Sequence, residues 1–326
     1  MEVCRVIFTK ITTFFITVLY TLTSFFSFIP RTAWYGKDSY TVTDSECILL
    51  DVALISDAHS DSAYFHDRSK LLRRAVCGIS KTDYVPDAMV IAGDISNASD
   101  AKEYRRLEGT IRTFNKIENI IPSAGNHDVR ARDTYEEAKT NFCDFAEFCG
   151  IETDKTYYTT SVNGYTFIIL GSESQMNLEA DISDEQLEWF EAQLIEAEKT
   201  EKPIFIICHQ ALYNSNNVHF NPEAEKNYGV GAQSEELEAI IRKHVPTYGY
   251  PVLFISGHLH HSFDEYTVDS GFCDNLYCIS LPSVTKTEEG GLGMAMEVYS
   301  DRILLRARNY ITMEWLEDYQ YSIPIE

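Results

Sequence analysis

Short apolar runs rich in β-branched residues recur along the chain after Pro30, with polar segments between them. Several are hydrophobic throughout, which is typical of strands that are buried on both faces. They predict strands at Val52–Ser56, Ala88–Ala92, Ile120–Ala124, Tyr165–Leu170, Pro203–Cys208 and Pro251–Ser256. We therefore expect a central sheet that is covered on both sides.

Helical spacing of apolar residues separates several of these runs. Leu71–Ile79 and Asp100–Lys116 each place their apolar residues on one helical face. Ser183 followed by Gln186 predicts a capping box that opens a third helix, which continues through Lys199. The alternation of strands and helices predicts an α/β layered fold.

The C-terminal part has a different pattern, because its strand-like runs are not separated by helical segments. The runs Phe272–Ser283, Gly293–Tyr299 and Arg302–Arg308 therefore predict β-hairpins that complete a sheet. No internal repeat or long linker follows Tyr40. The predicted organisation is an N-terminal segment over residues 1–40 and one domain over residues 41–326.

The N-terminal segment contains a run without charged residues, Ile11–Ile29, which follows Arg5 and Lys10. This pattern resembles a signal peptide or a single membrane anchor, although Thr and Ser residues make it only moderately apolar. No clean cleavage site precedes Pro30. We expect a membrane-anchored or exported protein. The alternative is that the run packs on the domain, which would favour a cytoplasmic protein.

Composition excludes some classes of protein. The chain has 326 residues, of which 44% are hydrophobic and 24% charged, as in ordinary globular proteins. Its formal net charge is −23, which repels the phosphates of nucleic acids. We therefore expect no nucleic-acid partner, and the sequence leaves the oligomeric state open.

The eight cysteines form no C-x-x-C pair, so they indicate neither a zinc knuckle nor a thioredoxin motif. Two pairs, Cys143 with Cys149 and Cys273 with Cys278, are close enough in sequence to form disulfides in an exported protein. Buried thiols are the alternative interpretation. The spacing is compatible with both interpretations.

Polar residues that can bind metal follow five of the predicted strands. They occur as Asp57-Ala58-His59, Gly93-Asp94, Gly125-Asn126-His127-Asp128, His209, and Gly257-His258-Leu259-His260. The carboxyl ends of strands in an α/β sheet are where ligand sites form. Any one block could be a turn or a core histidine, but five in succession predict one shared site.

This series of blocks resembles the calcineurin-like metallophosphoesterase family, in the order typical of that family, from about Asp51 to the C-terminus. The resemblance implies a layered α/β/β/α sandwich and a metal-dependent phosphoester hydrolase. It is specific for the fold and the metal site, and it does not identify the substrate.

The resemblance also implies the ligand sets of two divalent metal ions. One ion would be held by Asp57, His59, Asp94 and His260, and the other by Asp94, Asn126, His209 and His258. Two cations about 3.5–4 Å apart need a bridging ligand, and the carboxylate of Asp94 can offer an oxygen to each. Nitrogen and oxygen donors without thiolate suit Mn, Fe or Zn.

By the same resemblance, His127 lies off the metals and protonates the leaving oxygen, while Asp128 fixes its tautomer and orientation. The implied reaction is in-line attack on phosphorus by a metal-bridging hydroxide. We expect a phosphodiesterase or a phosphatase acting on a small or lipid-linked substrate. The alternative is a non-catalytic binding protein on the same fold.

Three further residues bear on these expectations. His261 follows His260 directly, and alternation in an extended segment predicts that it points away from the site. His219 lies in the loop Tyr213–Asn227, a candidate for lining the substrate pocket. Asn97 stands where purple acid phosphatases, relatives of this family, carry an iron-binding tyrosine. The chain therefore differs from that subgroup.

Overall fold

The computed structural model describes residues 47–81, 85–130, 134–216, 218, 228–287 and 290–326. The predicted signal or anchor over residues 1–40 and the predicted pocket residue His219 lie outside these residues. Among the residues that are described, no helix is long and apolar enough to cross a membrane.

The described residues form two six-stranded sheets and the helices that cover them. The strands are β1 (Leu50–Ile55), β2 (Ala88–Ala92), β3 (Asn119–Ser123), β4 (Tyr158–Val162), β5 (Tyr165–Ile169), β6 (Ile204–Ile207), β7 (Val252–Ser256), β8 (Val268–Asp269), β9 (Leu276–Ser280), β10 (Leu292–Val298), β11 (Arg302–Asn309) and β12 (Glu314–Pro324). The helices are α1 (Asp67–Ile79), α2 (Ala101–Phe114), α3 (Asn126–Val129), α4 (Tyr135–Phe148), α5 (Asp184–Glu198) and α6 (Ser234–Tyr248).

The first sheet is antiparallel on one side and parallel on the other, whereas the second has a parallel centre and antiparallel edges. The first has the strand order β12-β11-β10-β1-β2-β3, in which β1, β2 and β3 are parallel and β10 pairs antiparallel with β1. The second has the order β4-β5-β6-β7-β9-β8, in which β5, β6, β7 and β9 are parallel. The carboxyl ends of the parallel strands are therefore gathered at one edge of each sheet.

The side chains of β6 show how the layers are stacked. Phe205 and Ile207 point into a core shared with the first sheet, whereas Ile204 and Ile206 pack with apolar residues of α5 and α6. Because successive strand residues face opposite sides, β6 has helices on one face and a sheet on the other. The predicted α/β/β/α sandwich is confirmed.

All three C-terminal runs form strands with an antiparallel neighbour, as the hairpin prediction requires, but they lie in two different sheets. β10 and β11 form an antiparallel pair in the first sheet, and the unpredicted β12 extends it. The run Phe272–Ser283 lies in the second sheet, where its strand β9 pairs in parallel with β7 and antiparallel with the two-residue strand β8. An apolar run predicts a buried strand, but it carries no information about which neighbour that strand has.

The predicted capping box at α5 is half formed. The Ser183 hydroxyl accepts a hydrogen bond from the Gln186 backbone N–H at 3.1 Å, as a helix N-cap does. The Gln186 side chain does not return to the Ser183 backbone. Its amide donates instead to the carbonyl of Gly171 at 2.9 Å, and the Ser183 N–H donates to Glu173.

The cysteines of both candidate pairs are free thiols. Burial raises the pKa of the Cys143 thiol to about 11 and raises that of Cys149 further. Burial likewise raises the pKa of Cys273 and Cys278. Thiolate is the reactive form of cysteine, so these groups are protonated and unreactive near neutral pH.

Candidate metal centre

Both sheets contribute side chains to one cluster at the carboxyl ends of their strands. Asp57 and His59 follow β1, Asp94 follows β2, and Asn126 follows β3. From the second sheet, β6 runs into His209, and β7 runs into His258 and His260. The structure therefore brings together the ends of parallel strands from two separate sheets.

The first predicted ligand set is a compact group of four side chains. Ligand atoms of Asp57, His59, Asp94 and His260 all lie within 4.8 Å of one another. His260 Nε2 is 2.7 Å from Asp57 Oδ1, and His59 Nε2 is 3.4 Å from Asp94 Oδ2. The Nε2 atoms of His59 and His260 lie 3.2 Å apart. Two ring nitrogens and two carboxylates this close need a proton or a cation among them.

In the second predicted set, His209 faces the other oxygen of Asp94. His209 Nε2 lies 3.3 Å from Asp94 Oδ1, while Asp94 Oδ2 faces His59. The carboxylate of Asp94 therefore points one oxygen at each group, as a bridging ligand does.

Three buried polar atoms of the second set have no hydrogen-bond partner within the described residues: Nε2 of His209, Nε2 of His258 and Oδ1 of Asn126. His209 Nδ1 donates to the carbonyl of Ala92 at 2.8 Å, which leaves its Nε2 free to coordinate a cation. A buried polar atom without a partner is costly. A metal ion would satisfy all three, so the donor set fits a second cation.

Backbone strain is concentrated at these residues. Five ligand candidates have positive φ, namely Asp57 (54°), His59 (40°), Asp94 (47°), His258 (72°) and His260 (53°). Residues other than glycine rarely adopt this region, and such strain clusters at functional sites. At Gly93, which has φ of 87°, a Cβ atom would lie 2.4 Å from the His209 ring. The close approach of that imidazole therefore requires glycine.

The carboxylates and imidazoles of the cluster shift one another's pKa. Burial opposes ionisation of Asp57 and Asp94, but the nearby imidazoles, above all His209, hold the pKa of both carboxyls below its usual value. Burial also disfavours the charged form of His209, yet Asp94 and Asp57 raise its pKa to about 9. Burial and the charge of His209 lower the pKa of His258 to about 3.

His127 faces a cavity beside this cluster. Its ring contacts the His59 ring edge-on, with centroids 4.6 Å apart, and its backbone N–H donates to Asp94 Oδ1 at 2.8 Å. Its Nδ1 lies 2.6 Å from the carbonyl oxygen of Asn97. A carbonyl only accepts, so Nδ1 carries a proton and Nε2 faces the cavity.

Asp128 does not orient His127, and that prediction was wrong. The buried carboxylate accepts hydrogen bonds of 2.8–2.9 Å from the backbone of Ile95, Ser96 and Gly125 and from the hydroxyls of Ser96 and Tyr104. Its partners include the backbone of the loop that follows β2. The Asn97 backbone carbonyl fixes the tautomer instead, while the Asn97 side chain accepts a hydrogen bond from Arg68.

The cavity has a volume of about 580 Å³, and several residues that line it had not been predicted to do so. They include Arg130, Tyr228 and His261. The prediction for His261 was wrong because the left-handed backbone at His258 and His260 breaks the alternation of an extended strand. Val218, from the loop predicted to line the pocket, also contributes. Arg130 could have been inferred from its position three residues after His127, one helical turn along.

Comparison with known proteins places these features in a family. A family model described as calcineurin-like phosphoesterase matches residues 50–262. The serine/threonine-protein phosphatase CPPED1 of Pongo abelii is 27% identical over 169 residues, which cover 49% of this chain and 51% of that protein. Its counterpart from Homo sapiens is 28% identical over the same length and coverage. The chain thus spans about half the length of the curated relatives it matches.

The fold also matches a crystal structure of a dimetal phosphatase from Danio rerio. The TM-score is 0.56 at 16% identity, and the match covers 86% of this chain and 100% of the other. At that identity the likeness concerns the fold. It covers more of this chain than the family model does.

Proposed function

The chain belongs to the calcineurin-like phosphoesterase family, and on this premise we propose that it hydrolyses phosphoesters with the help of two divalent cations. The observation that carries the proposal is the set of buried donor atoms around Asp94. His209 Nε2, His258 Nε2 and Asn126 Oδ1 have no hydrogen-bond partner among the described residues, and a cation would give them one.

We assign one cation to Asp57, His59, Asp94 and His260, and the other to Asp94, Asn126, His209 and His258. Their nitrogen and oxygen donors favour Mn, Fe or Zn. When bound, the cations supply Lewis acidity, which activates water and neutralises the oxygens of the phosphoryl group. The neutral donors among the ligands leave this region cationic enough to bind an anion in a protein whose net charge is −23.

His127 takes the part of the proton donor in this proposal. Its Nδ1 is committed to the Asn97 carbonyl, so a proton held at Nε2 faces the cavity and can pass to the leaving oxygen. A binding protein without catalytic activity would have no use for this orientation. The second candidate function, a non-catalytic binding protein, is therefore the weaker one.

The cavity volume supports a small-molecule substrate. Its 580 Å³ falls within the range of about 300–1,000 Å³ that is usual for such pockets. The curated relatives are named serine/threonine-protein phosphatases, which also supports a phosphate ester. We favour a small or lipid-linked phosphoester.

A lipid-linked substrate would agree with the tether that we propose for the uncharged run Ile11–Ile29. Cell fractionation tests this part of the proposal. Protein found wholly in the cytosolic fraction, with Met1 retained, would contradict it.

The test of the proposed function is metal reconstitution followed by a panel of phosphomonoesters and phosphodiesters. We expect activity with Mn, Fe or Zn, loss of activity on chelation, and loss of metal and activity together in Asp94→Asn. The control is Asp67→Asn, which removes a fully exposed carboxylate on α1. Full activity in the chelated protein would exclude a role for the cations.

A further inference from the structure

The cavity contains a cationic side chain that the proposed metal chemistry does not use. Arg130 directly follows α3, and among the described residues that line the cavity it is the one lysine or arginine. The chain as a whole has a net charge of −23. A guanidinium in the substrate cavity of so acidic a protein is suited to bind an anion.

Asn177 holds this guanidinium in place. Arg130 Nη1 donates to Asn177 Oδ1 at 2.6 Å and lies 3.4 Å from the Asn177 carbonyl oxygen. The same carbonyl accepts a hydrogen bond from Asn126 Nδ2 at 2.8 Å. The Asn177 backbone therefore orients Asn126, a proposed metal ligand. The Asn177 side chain is the main contact that orients Arg130.

The other arm of the guanidinium contacts the His127 ring. Arg130 Nη2 lies 2.9 Å from Nε2 and 3.2 Å from Nδ1 of His127, and a donor this close to both nitrogens is not aligned with the lone pair of either. Such a contact is weaker than a charge-assisted hydrogen bond to an anionic oxygen. An anion entering the cavity would therefore draw Nη2 away from His127.

We propose that Arg130, held by Asn177, binds the third non-bridging oxygen of a phosphomonoester dianion and makes the site prefer monoesters to diesters. The proposal rests on the proposed function. A monoester has three charged terminal oxygens, so one remains for Arg130 when two face the cations. A diester carries an ester oxygen with an organic group in that position, which is a poor and crowded acceptor.

Four variants of the metal-loaded protein test this. Arg130→Ala removes the guanidinium. Arg130→Lys keeps the positive charge but loses the planar guanidinium that donates to Asn177. Asn177→Ala removes Oδ1 and leaves the backbone carbonyl that holds Asn126. Arg105→Ala, at an exposed arginine on α2, is the matched control for charge.

Each variant is measured for metal content, for binding of inorganic phosphate by calorimetry, and for kcat/KM on an aryl monoester and a bis-aryl diester. We expect full metal content in all four. Arg130→Ala should weaken phosphate binding and lower monoester kcat/KM by about 10- to 100-fold, the value of a charge-assisted hydrogen bond. The loss on the diester should be at least about fivefold smaller. Arg130→Lys and Asn177→Ala should fall between Arg130→Ala and the control.

Unchanged phosphate binding in Arg130→Ala, or equal losses on both ester classes, would overturn the role of Arg130. That result would leave the proposed function standing if the wild type is active. A metal-loaded wild type that hydrolyses neither class would reject the proposed function instead. The phosphate measurements would still decide whether Arg130 binds the anion.

Discussion

Asn126 and His127 are adjacent in the chain, yet they face different parts of the site. Asn126 has a buried Oδ1 without a hydrogen-bond partner among the described residues, and its Nδ2 donates to the carbonyl of Asn177. His127 turns its ring toward the cavity and bonds the Asn97 carbonyl. Metal binding and proton donation can therefore be separated by single substitutions.

His127→Ala should keep both metals, because the ring contributes to neither proposed ligand set. We expect a loss of roughly 10²–10⁴-fold in rate on alkyl esters, whose leaving oxygens need a proton. The loss should shrink for nitrophenyl esters, whose leaving groups depart as anions. A leaving-group series with metal analysis measures this, with His66→Ala as the control. An equal loss across the series at full metal content would remove His127 from the acid role.

His209 makes metal affinity depend on pH. Its pKa of about 9 lies above the ordinary histidine value of 6.5, so it is protonated at neutral pH when no metal is bound. A cation at Nε2 must displace that proton, and affinity should therefore fall as pH decreases below about 9, by up to about tenfold per unit. His258, with a pKa of about 3, should add nothing in this range. Competition with a chromophoric chelator measures the slope, and constant affinity between about pH 7 and pH 9 would contradict the prediction.

At the scale of elements, the loops that follow β2 and β3 are joined through the carboxylate of Asp128. It accepts from Ile95 and Ser96 in one loop and from Gly125 in the other, and the Tyr104 hydroxyl of α2 completes its bonds. These loops carry Asp94 and Asn126. Their relative position therefore depends on a buried residue that touches neither the cavity nor the imidazole it was predicted to orient.

Tyr104→Phe should lower the free energy of unfolding by about 1–3 kcal/mol, because it leaves a buried carboxylate with one donor fewer. Asp128→Asn should cost more, since several backbone N–H groups then lose a charged acceptor. Urea unfolding of the chelated proteins measures both, with Tyr64→Phe, at a partly exposed ring, as the control. If Asp128→Asn instead kept full stability and changed only the leaving-group dependence, Asp128 would act on His127 after all.

The sequence predicted the elements and the ligand candidates better than it predicted the contacts between them. An apolar run followed by Asp or His marks a strand end, which is why the positions of Asp57, Asp94 and His209 at strand ends were predictable from the sequence. The carbonyl that holds His127 was not predictable, because every residue has a backbone carbonyl. The parallel pairing of β9 with β7 was missed for a similar reason, since an apolar run does not show which strand it will pair with.

At the scale of the whole molecule, the net charge of −23 should slow the approach of anionic substrates. Salt screens this repulsion, so kcat/KM should rise between about 0.02 and 0.2 M ionic strength, where the Debye length falls from about 20 to about 7 Å. The rise should be larger for a dianionic monoester than for a monoanionic diester. Steady-state kinetics at constant metal occupancy measure both slopes, and a decrease with salt would show that local cations govern the encounter.

The two sheets supply the proposed ligands from distant parts of the chain, with Asp57 and His260 separated by 203 positions. A bound cation is then a cross-link that closes a very long loop, comparable in topology to a disulfide but reversible by chelation. Closing a loop of this length restricts the unfolded chain strongly. Proteolysis that requires the two sheets to separate would therefore be slow in the metal-loaded protein and fast after chelation, whatever substrate the enzyme acts on.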